Sequence, residues 1–451
     1  MIPYAPNTIL WSDGAQKTRY FAVPNNGGTI TPDQQIAFAP TGSWTFPAGT
    51  VFVKTFELNT DTTHPDVKRR LETRVLVRDI NGQVYGVTYK WRADNSDADL
   101  LHGSLNEDIL ITNATGITTQ TWYYPSPADC LTCHTPVANY VLGVNTRQLN
   151  RAFTYPSTGT TDNQLRTLNH LAMFNPAFDE SGITNFAQMA ALTNLSVSLE
   201  TRVRSYLDAN CVQCHQPGGI GPTFDARFDT PLASQNLING GLDADGFAMI
   251  VPKDIWRSEI WQRMDTTNNT IKMPPLARNL IDTNAVQVLT DWINSLPGIP
   301  ALAPPALTPD GGSFVASVNV SAQQPDTNAD IYYTLDGSTP TTNSLRYAGP
   351  FTLLDSATVS ASSFRTGYVN SVTASALFLV EPLHFASQGF TNNVFQLMFV
   401  GSAGSNYILQ ATTNFVTWTP ISTNTALTNR FDFYDVKATN YPYRFYRVLR
   451  Q

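Results

Sequence analysis

Apolar residues in the first part of this chain alternate with polar ones. Residues 50–58, 71–80 and 83–91 read as strands on that period. Asn81-Gly82 separates the last two and predicts a hairpin with a type I′ turn, which needs positive φ at both central residues. Tyr85, Val87, Tyr89 and Trp91 alternate and give the returning strand an aromatic face. Further along, the period becomes helical. Leu165, Leu168 and Leu171 predict a helix over 163–174. Leu199, Val203, Tyr206 and Leu207 share a face behind Ser198, a good N-cap. Residues 257–264 read as a third helix. Val286, Leu289, Trp292 and Ile293 mark a fourth over 282–293, which would close back on the second. Residues 299–312 are a proline-rich, semi-rigid linker. Residues 313–380 and 383–451 then return to short strands and turns.

Composition narrows the class. At 451 residues the chain should hold several domains, and only 14% of its residues are charged. The net charge of −7 argues against a nucleic-acid partner, which wants a basic face. No apolar run reaches ~18 residues, so no membrane span is predicted. Met1-Ile2-Pro3-Tyr4 does not begin a basic region followed by an apolar core, as a signal peptide would.

Chemistry enters through the cysteines. There are four, and all fall in two pentapeptides of one pattern: Cys130-Leu-Thr-Cys133-His134 and Cys211-Val-Gln-Cys214-His215. Two thiols at this spacing can each form a thioether to a haem vinyl group, and the following histidine becomes the proximal iron ligand. Four cysteines and two histidines also offer one closed zinc site, but that leaves both adjacent histidines unexplained. A redox dithiol wants a βαβ context that the pattern lacks. The expectation is two covalent c-type haems, with iron ligated by His134 and His215. Haem attachment occurs outside the cytoplasm, so the protein is expected in the periplasm, at the cell surface or secreted, and the sequence is expected to be truncated or to begin after processing.

Each iron then needs a sixth ligand or stays open. For the second site, Met273 in Lys272-Met273-Pro274-Pro275 is favoured, because two prolines stiffen its loop. Its rival Met264 lies at a helical position that core packing explains. For the first site, His170, Met173 and an open position remain alternatives.

Residues 193–298, with helix, Cys-x-x-Cys-His, Met-Pro-Pro loop and closing helix, resemble a class I cytochrome c domain. Four further stretches widen the resemblance: Leu10-Trp-Ser-Asp-Gly-Ala-Gln-Lys-Thr-Arg19, Trp44-Thr-Phe-Pro-Ala-Gly-Thr-Val51, Arg70-Leu-Glu-Thr-Arg74 and Gly143-Val-Asn-Thr-Arg-Gln-Leu-Asn150. Together residues 8–298 are similar to a family of bacterial di-haem c-type cytochromes that accompany quinoprotein sugar or alcohol dehydrogenases, often of the pyrroloquinoline-quinone (PQQ) type. The resemblance implies electron acceptance from such a partner. Ile331-Tyr-Tyr-Thr-Leu-Asp-Gly-Ser-Thr-Pro340 resembles the small β-sandwich at the C-terminus of chitobiase-type enzymes. Tyr407 to Pro420 and Arg444 to Val448 resemble a β module on exported proteins of Verrucomicrobia-like bacteria.

The expected fold class is therefore multidomain: a β-rich N-terminal domain (1–127), α-helical cytochrome c haem domains (a first haem-binding region at 128–192 and a class I unit at 193–298), and C-terminal β-sandwich modules (313–380 and 383–451). The expected function is electron transfer between redox partner proteins. One alternative is a di-haem peroxidase or oxidase, although no distal acid–base group stands out near the first motif. Another is a surface binder whose C-terminal modules hold a polysaccharide by aromatic stacking; retention of the isolated modules on insoluble glycan would decide it.

Overall fold

The computed structural model describes residues 1–221 and 223–451. The described chain forms two compact units, Met1–Gly298 and Ile299–Gln451.

The first unit is built on an antiparallel sheet of six strands: β1 (Ile2–Pro3), β2 (Gln16–Ala22), β4 (Val51–Asn59), β5 (Lys68–Arg78), β6 (Val84–Trp91) and β7 (Ala98–Leu101), in that spatial order. β3 (Ile36–Ala37) lies outside it, and β8 (Leu105–Asn113) pairs with β9 (Gly116–Tyr124) as a separate hairpin. The β5–β6 hairpin stands where Asn81-Gly82 predicts one, but its turn is not type I′. Only Gly82 takes a positive φ, +78°. Asp79 organises the turn instead, its Oδ1 accepting from the Asn81 and Gln83 amides at 2.8 Å each. On β6 the aromatic face is the exposed one: Tyr85 is exposed, while Gly86 and Thr88 point inward and are buried.

The inward face carries three rows across the strands. Phe21, Phe52, Leu76 and Gly86 are opposite one another, then Arg19, Lys54, Arg74 and Thr88, then Lys17, Phe56 and Glu72. The apolar row joins a core that also includes Trp44, Phe46, Val144, Leu149, Leu165, Leu168 and Phe174. Residues 144–183 therefore share their core with the N-terminal sheet. This sharing is aided by β12 (Phe174–Asn175), which runs parallel to β3, after the small hairpin of β10 (Ala152–Thr154) and β11 (Thr161–Asn163).

The expected α-helical haem domains are not found. Helical residues make up 14% of the chain. Helices do form where the periodicity places them: α3 (Gln164–His170), α4 (Leu199–Cys211), α5 (Glu259–Met264) and α6 (Thr283–Ser295), besides α1 (Pro127–Cys133) and α2 (Thr146–Leu149). None exceeds 13 residues. Isolated helices this short are marginal in water, and here they are spacers within long irregular segments. Ser198 caps α4 and Asp282 caps α6, accepting from Thr201 and Ala285 amides. α4, α5 and α6 pack through Val203, Tyr206, Leu207, Ile260, Leu289 and Trp292.

Buried polar side chains do the work that helix packing does elsewhere. Arg147 on α2 reaches Asp208 on α4 at 2.8 Å and 3.1 Å, Asp229 at 3.0 Å and the Gly42 carbonyl at 3.0 Å. Gln148 pairs with both backbone groups of Thr8. Asp13, at φ +47°, accepts from the Asn279 and Leu280 amides. Trp11 donates its amide to Asn210 of α4 at 2.7 Å. The Leu10–Arg19 and Gly143–Asn150 stretches are thus joints that tie the sheet to the segment carrying the second cysteine motif.

The second unit holds two antiparallel-rich sheet pairs. β13 (Ala306–Thr308), β15 (Val318–Gln323) and β18 (Phe351–Leu353) form one sheet. β14 (Gly312–Val315), β16 (Asp330–Thr334), β17 (Leu345–Arg346), β19 (Ala357–Phe364) and β20 (Ala374–Glu381) form its partner around Val320, Val359 and Phe378. β21 (His384–Thr391), β22 (Val394–Val400) and β25 (Arg430–Asp435) form a third, with β23 (Asn406–Thr412), β24 (Thr419–Thr425) and β26 (Phe445–Arg450) as a fourth. The proline-rich segment is partly strand, since β13 pairs with β15. Tyr407 is fully buried among Leu397, Leu409 and Phe433. Trp418 is half-buried under the Arg447 guanidinium, 4.3 Å away.

Candidate functional site

The first motif sits on α1. Ser126 caps it and Pro127 opens it, and Asp129 completes the reciprocal cap while accepting from the Tyr123 hydroxyl at 2.6 Å. Cys130 presses against Gly86 of β6. A Cβ on Gly86 would lie 2.7 Å from both the Cβ and Sγ of Cys130. This glycine inside an otherwise good strand marks a close approach of two backbones.

His134 follows the helix, and its ring is aimed by a strained turn. Asn139 and Tyr140 both adopt left-handed φ, +51° and +60°. Asn139 is anchored by its amide to the Trp44 carbonyl at 2.7 Å. The Tyr140 carbonyl then accepts from His134 Nδ1 at 2.5 Å. A backbone acceptor on Nδ1 fixes the tautomer and leaves the Nε2 lone pair for a metal. Burial pushes the His134 pKa down to about 4, with the Lys54 cation adding to the shift, so the imidazole is neutral at pH 7.

Cys130, Cys133 and His134 line one cavity. The inward sheet face supplies a second wall, with Arg19, Phe52, Lys54, Arg74, Leu76 and Gly86. Leu10-Trp11-Ser12 and Gly143 supply a third. Pro274, Leu276, Ala277 and Arg278, from the loop after Met273, also border it, as do Ala209 and Gln213 beside the second motif. The donor set and the cavity fit a haem: two thiols, one oriented imidazole, and an apolar floor.

The second motif begins on the last turn of α4. The Cys214 and His215 amides fold back to the Cys211 carbonyl at 3.1 Å and 2.9 Å. His215 stacks on Phe224 with ring centroids 4.5 Å apart. Gly221 lies over the imidazole so closely that a Cβ there would stand 2.9 Å from its Cε1. Nδ1 of His215 is buried with no hydrogen-bond partner of good geometry among the described residues. Burial lowers the pKa of this ring as well.

All four cysteines are free. Burial raises every thiol: Cys133 to about 11, with Cys214 as the next cause, and Cys211 to about 12, again with Cys214 next. Cys130 and Cys214 rise for the same first reason. Buried, protonated thiols are the opposite of a reactive redox dithiol. Among the described residues, no group of three or more His, Cys, Asp and Glu side chains is placed to hold a metal ion. The segments that follow the two motifs approach each other, Val137 lying 3.9 Å from where a Cβ of Gly218 would stand.

The remaining expected ligands separate. Met273 is half-buried in a loop held by Arg278, which donates to the carbonyls of Met273 at 2.7 Å, Thr266 at 2.9 Å, Arg263 at 3.2 Å and Leu280 at 3.3 Å, and also to that of Met264. The Met273 amide bonds to the Arg263 carbonyl at 2.9 Å, and the Arg263 charge is felt by His215, so this loop stands beside the second motif. Met264 is buried in the core of α4, α5 and α6. His170, by contrast, is at the exposed end of α3, its Nε2 3.1 Å from Glu180, and it does not line the cavity of the first motif. Met173 packs against the aromatic core. Sequence reasoning missed Gly86, Tyr140, Arg278 and the cationic row. Only Gly86 left a local trace, as a glycine within a strand pattern.

Residues 211–276 match the Planctomycete cytochrome C family, a span that runs from Cys211 to just past Met273. This match points to a cytochrome-like role and to haem as the cofactor. Residues 309–375 match the chitobiase/beta-hexosaminidase C-terminal domain. No curated protein matches the chain. Among solved structures, the human OSCAR ligand-binding domain is 13% identical, with 31% of this chain and 85% of that one covered and a TM-score of 0.18. A chain of a cytokine receptor complex is 8% identical, with 32% and 86% covered and a TM-score of 0.14. At such scores neither likeness bears on fold or function.

Proposed function

We propose that this protein is an extracytoplasmic c-type cytochrome carrying two covalent haems, one at each Cys-x-x-Cys-His motif, and that it relays electrons between redox partner proteins, with a quinoprotein dehydrogenase as the donor class. The observation that carries this reading is that all four thiols lie in two such motifs, one of them with its histidine already oriented by a backbone acceptor. When bound, haem supplies one-electron exchange at iron. Cys130, Cys133, Cys211 and Cys214 hold the porphyrins as thioethers. His134 and His215 present neutral imidazoles. Arg278 keeps the Met273 loop in one conformation, which suits a thioether ligand held at fixed distance. Pro274 and Leu276 add apolar surface to the first cavity.

Two outcomes test the reading. Met273→His should lower one of two midpoint potentials in a redox titration by on the order of 0.1 V, within the ~0.8 V range that axial ligands span, and leave the other in place. An unchanged pair of potentials removes Met273 as a ligand. Gly86→Val should displace Cys130 and block haem attachment at the first motif only, leaving one haem per chain by absorbance per protein mass. Two haems in that variant would mean that Cys130 has room the geometry denies it.

A further inference from the structure

Arg19 on β2, Lys54 on β4 and Arg74 on β5 are directly paired across neighbouring strands, on the face that lines the first cavity. Like charges opposite one another destabilise a sheet, and here Arg19 is buried while Lys54 and Arg74 are half-buried. One carboxylate neutralises part of the row: Glu72 takes Arg74 at 2.6 Å. Arg19 is 9% exposed and donates only to the Lys17 carbonyl at 3.3 Å. Lys54, between the two guanidiniums, has no salt bridge among the described residues; its ammonium stands 5.8 Å over the Phe56 ring. Next in the row, the buried Thr88 hydroxyl has no partner among the described residues. Two guanidiniums and the Lys54 amine, whose pKa burial pushes down to about 7, thus face one carboxylate along this wall of the cavity.

We propose that this row is the receptor for the two propionate carboxylates of the haem carried at Cys130 and Cys133. The inference rests on the proposed haem at that motif. It gives the N-terminal sheet a role beyond cover: the sheet recognises the dicarboxylate edge of the porphyrin, while α1 supplies the thiols and the imidazole. Arginine suits such a site because its planar fork binds a carboxylate through two donors.

The test uses the full chain made without haem attachment, titrated with haemin, with haemin dimethyl ester and with succinate. Haemin should bind at least tenfold more tightly than the diester, and Lys54→Met should abolish that preference while Lys54→Arg retains it. Lys54→Met should also raise the melting temperature of the haem-free chain, because it removes a repelled charge; a merely structural lysine would lower it. Equal affinity for acid and ester, or a preference that survives in Lys54→Met, overturns the proposal while leaving the covalent haem intact. So does failure to bind haemin at all. Stabilisation by succinate equal to that by haemin would make the row a general anion site and likewise sink it. Loss of the haem reading itself would instead appear as a matured chain without added mass.

Discussion

Arg147→Met will cost about 3–5 kcal/mol of stability, the usual penalty for stranding one member of a buried ion pair. Arg147 is 5% exposed and Asp208 3% exposed. The guanidinium gives two bonds to Asp208, one to Asp229 and one to the Gly42 carbonyl, so methionine would leave the Asp208 carboxylate without its cation in a dry interior. Desolvation already raises the Asp208 pKa against the opposing effect of Arg147, and without the arginine the carboxylate would have to take up a proton. The joint also connects the segment after the first motif to the helix before the second, so its loss should loosen both. Urea unfolding followed by tryptophan fluorescence reads the change. The double variant with Asp208→Leu should recover most of the loss, because a buried pair replaced by apolar groups is often near neutral. A single-variant loss below about 1 kcal/mol would assign the joint to packing alone.

Arg278→Met carries the second large effect. Five backbone carbonyls on both sides of Met273 converge on this one side chain. Hydrogen bonds to a charged group are worth about 1.5–3 kcal/mol each, and water can replace some of them once the loop opens, so a net loss of about 2–4 kcal/mol is expected. The sharper readout is spectroscopic. The charge-transfer absorption of a methionine-ligated ferric haem should vanish, because the loop no longer fixes Met273. Arg278→Lys should not restore it, since a single ammonium lacks the five-donor fork. Persistence of that absorption in Arg278→Met would show that the two prolines alone hold the ligand.

The local signals were legible because they depend on near neighbours. The caps at Ser198 and Asp282, the hairpin at 79–83, and the helices behind Leu165 and Val286 all stand where spacing places them. The helical haem domain expected over 128–192 failed for a non-local reason. Val144, Leu149, Leu165 and Phe174 bury themselves against Phe21, Trp44 and Phe52 rather than against helices of their own, and nothing within 128–192 announces that partner. The same limit hid the site's walls. Arg19, Lys54 and Arg74 look like solvated strand positions until the register brings them opposite one another. The visible alternation at Tyr85, Val87, Tyr89 and Trp91 drew attention to the outer face of β6, while the inner face, with Gly86 and Thr88, meets the cysteine helix. His170 had the right chemistry and helical context, but α3 turns it outward to Glu180.

Intact-mass analysis of the chain matured in a host that attaches haem, with Cys130→Ser/Cys133→Ser and Cys211→Ser/Cys214→Ser alongside, tests the central claim most directly. The account predicts the chain mass plus two haems for the unaltered protein and plus one for each double variant. A product at the mass of the bare polypeptide, or one that keeps both haems after either pair of thiols is removed, would contradict it.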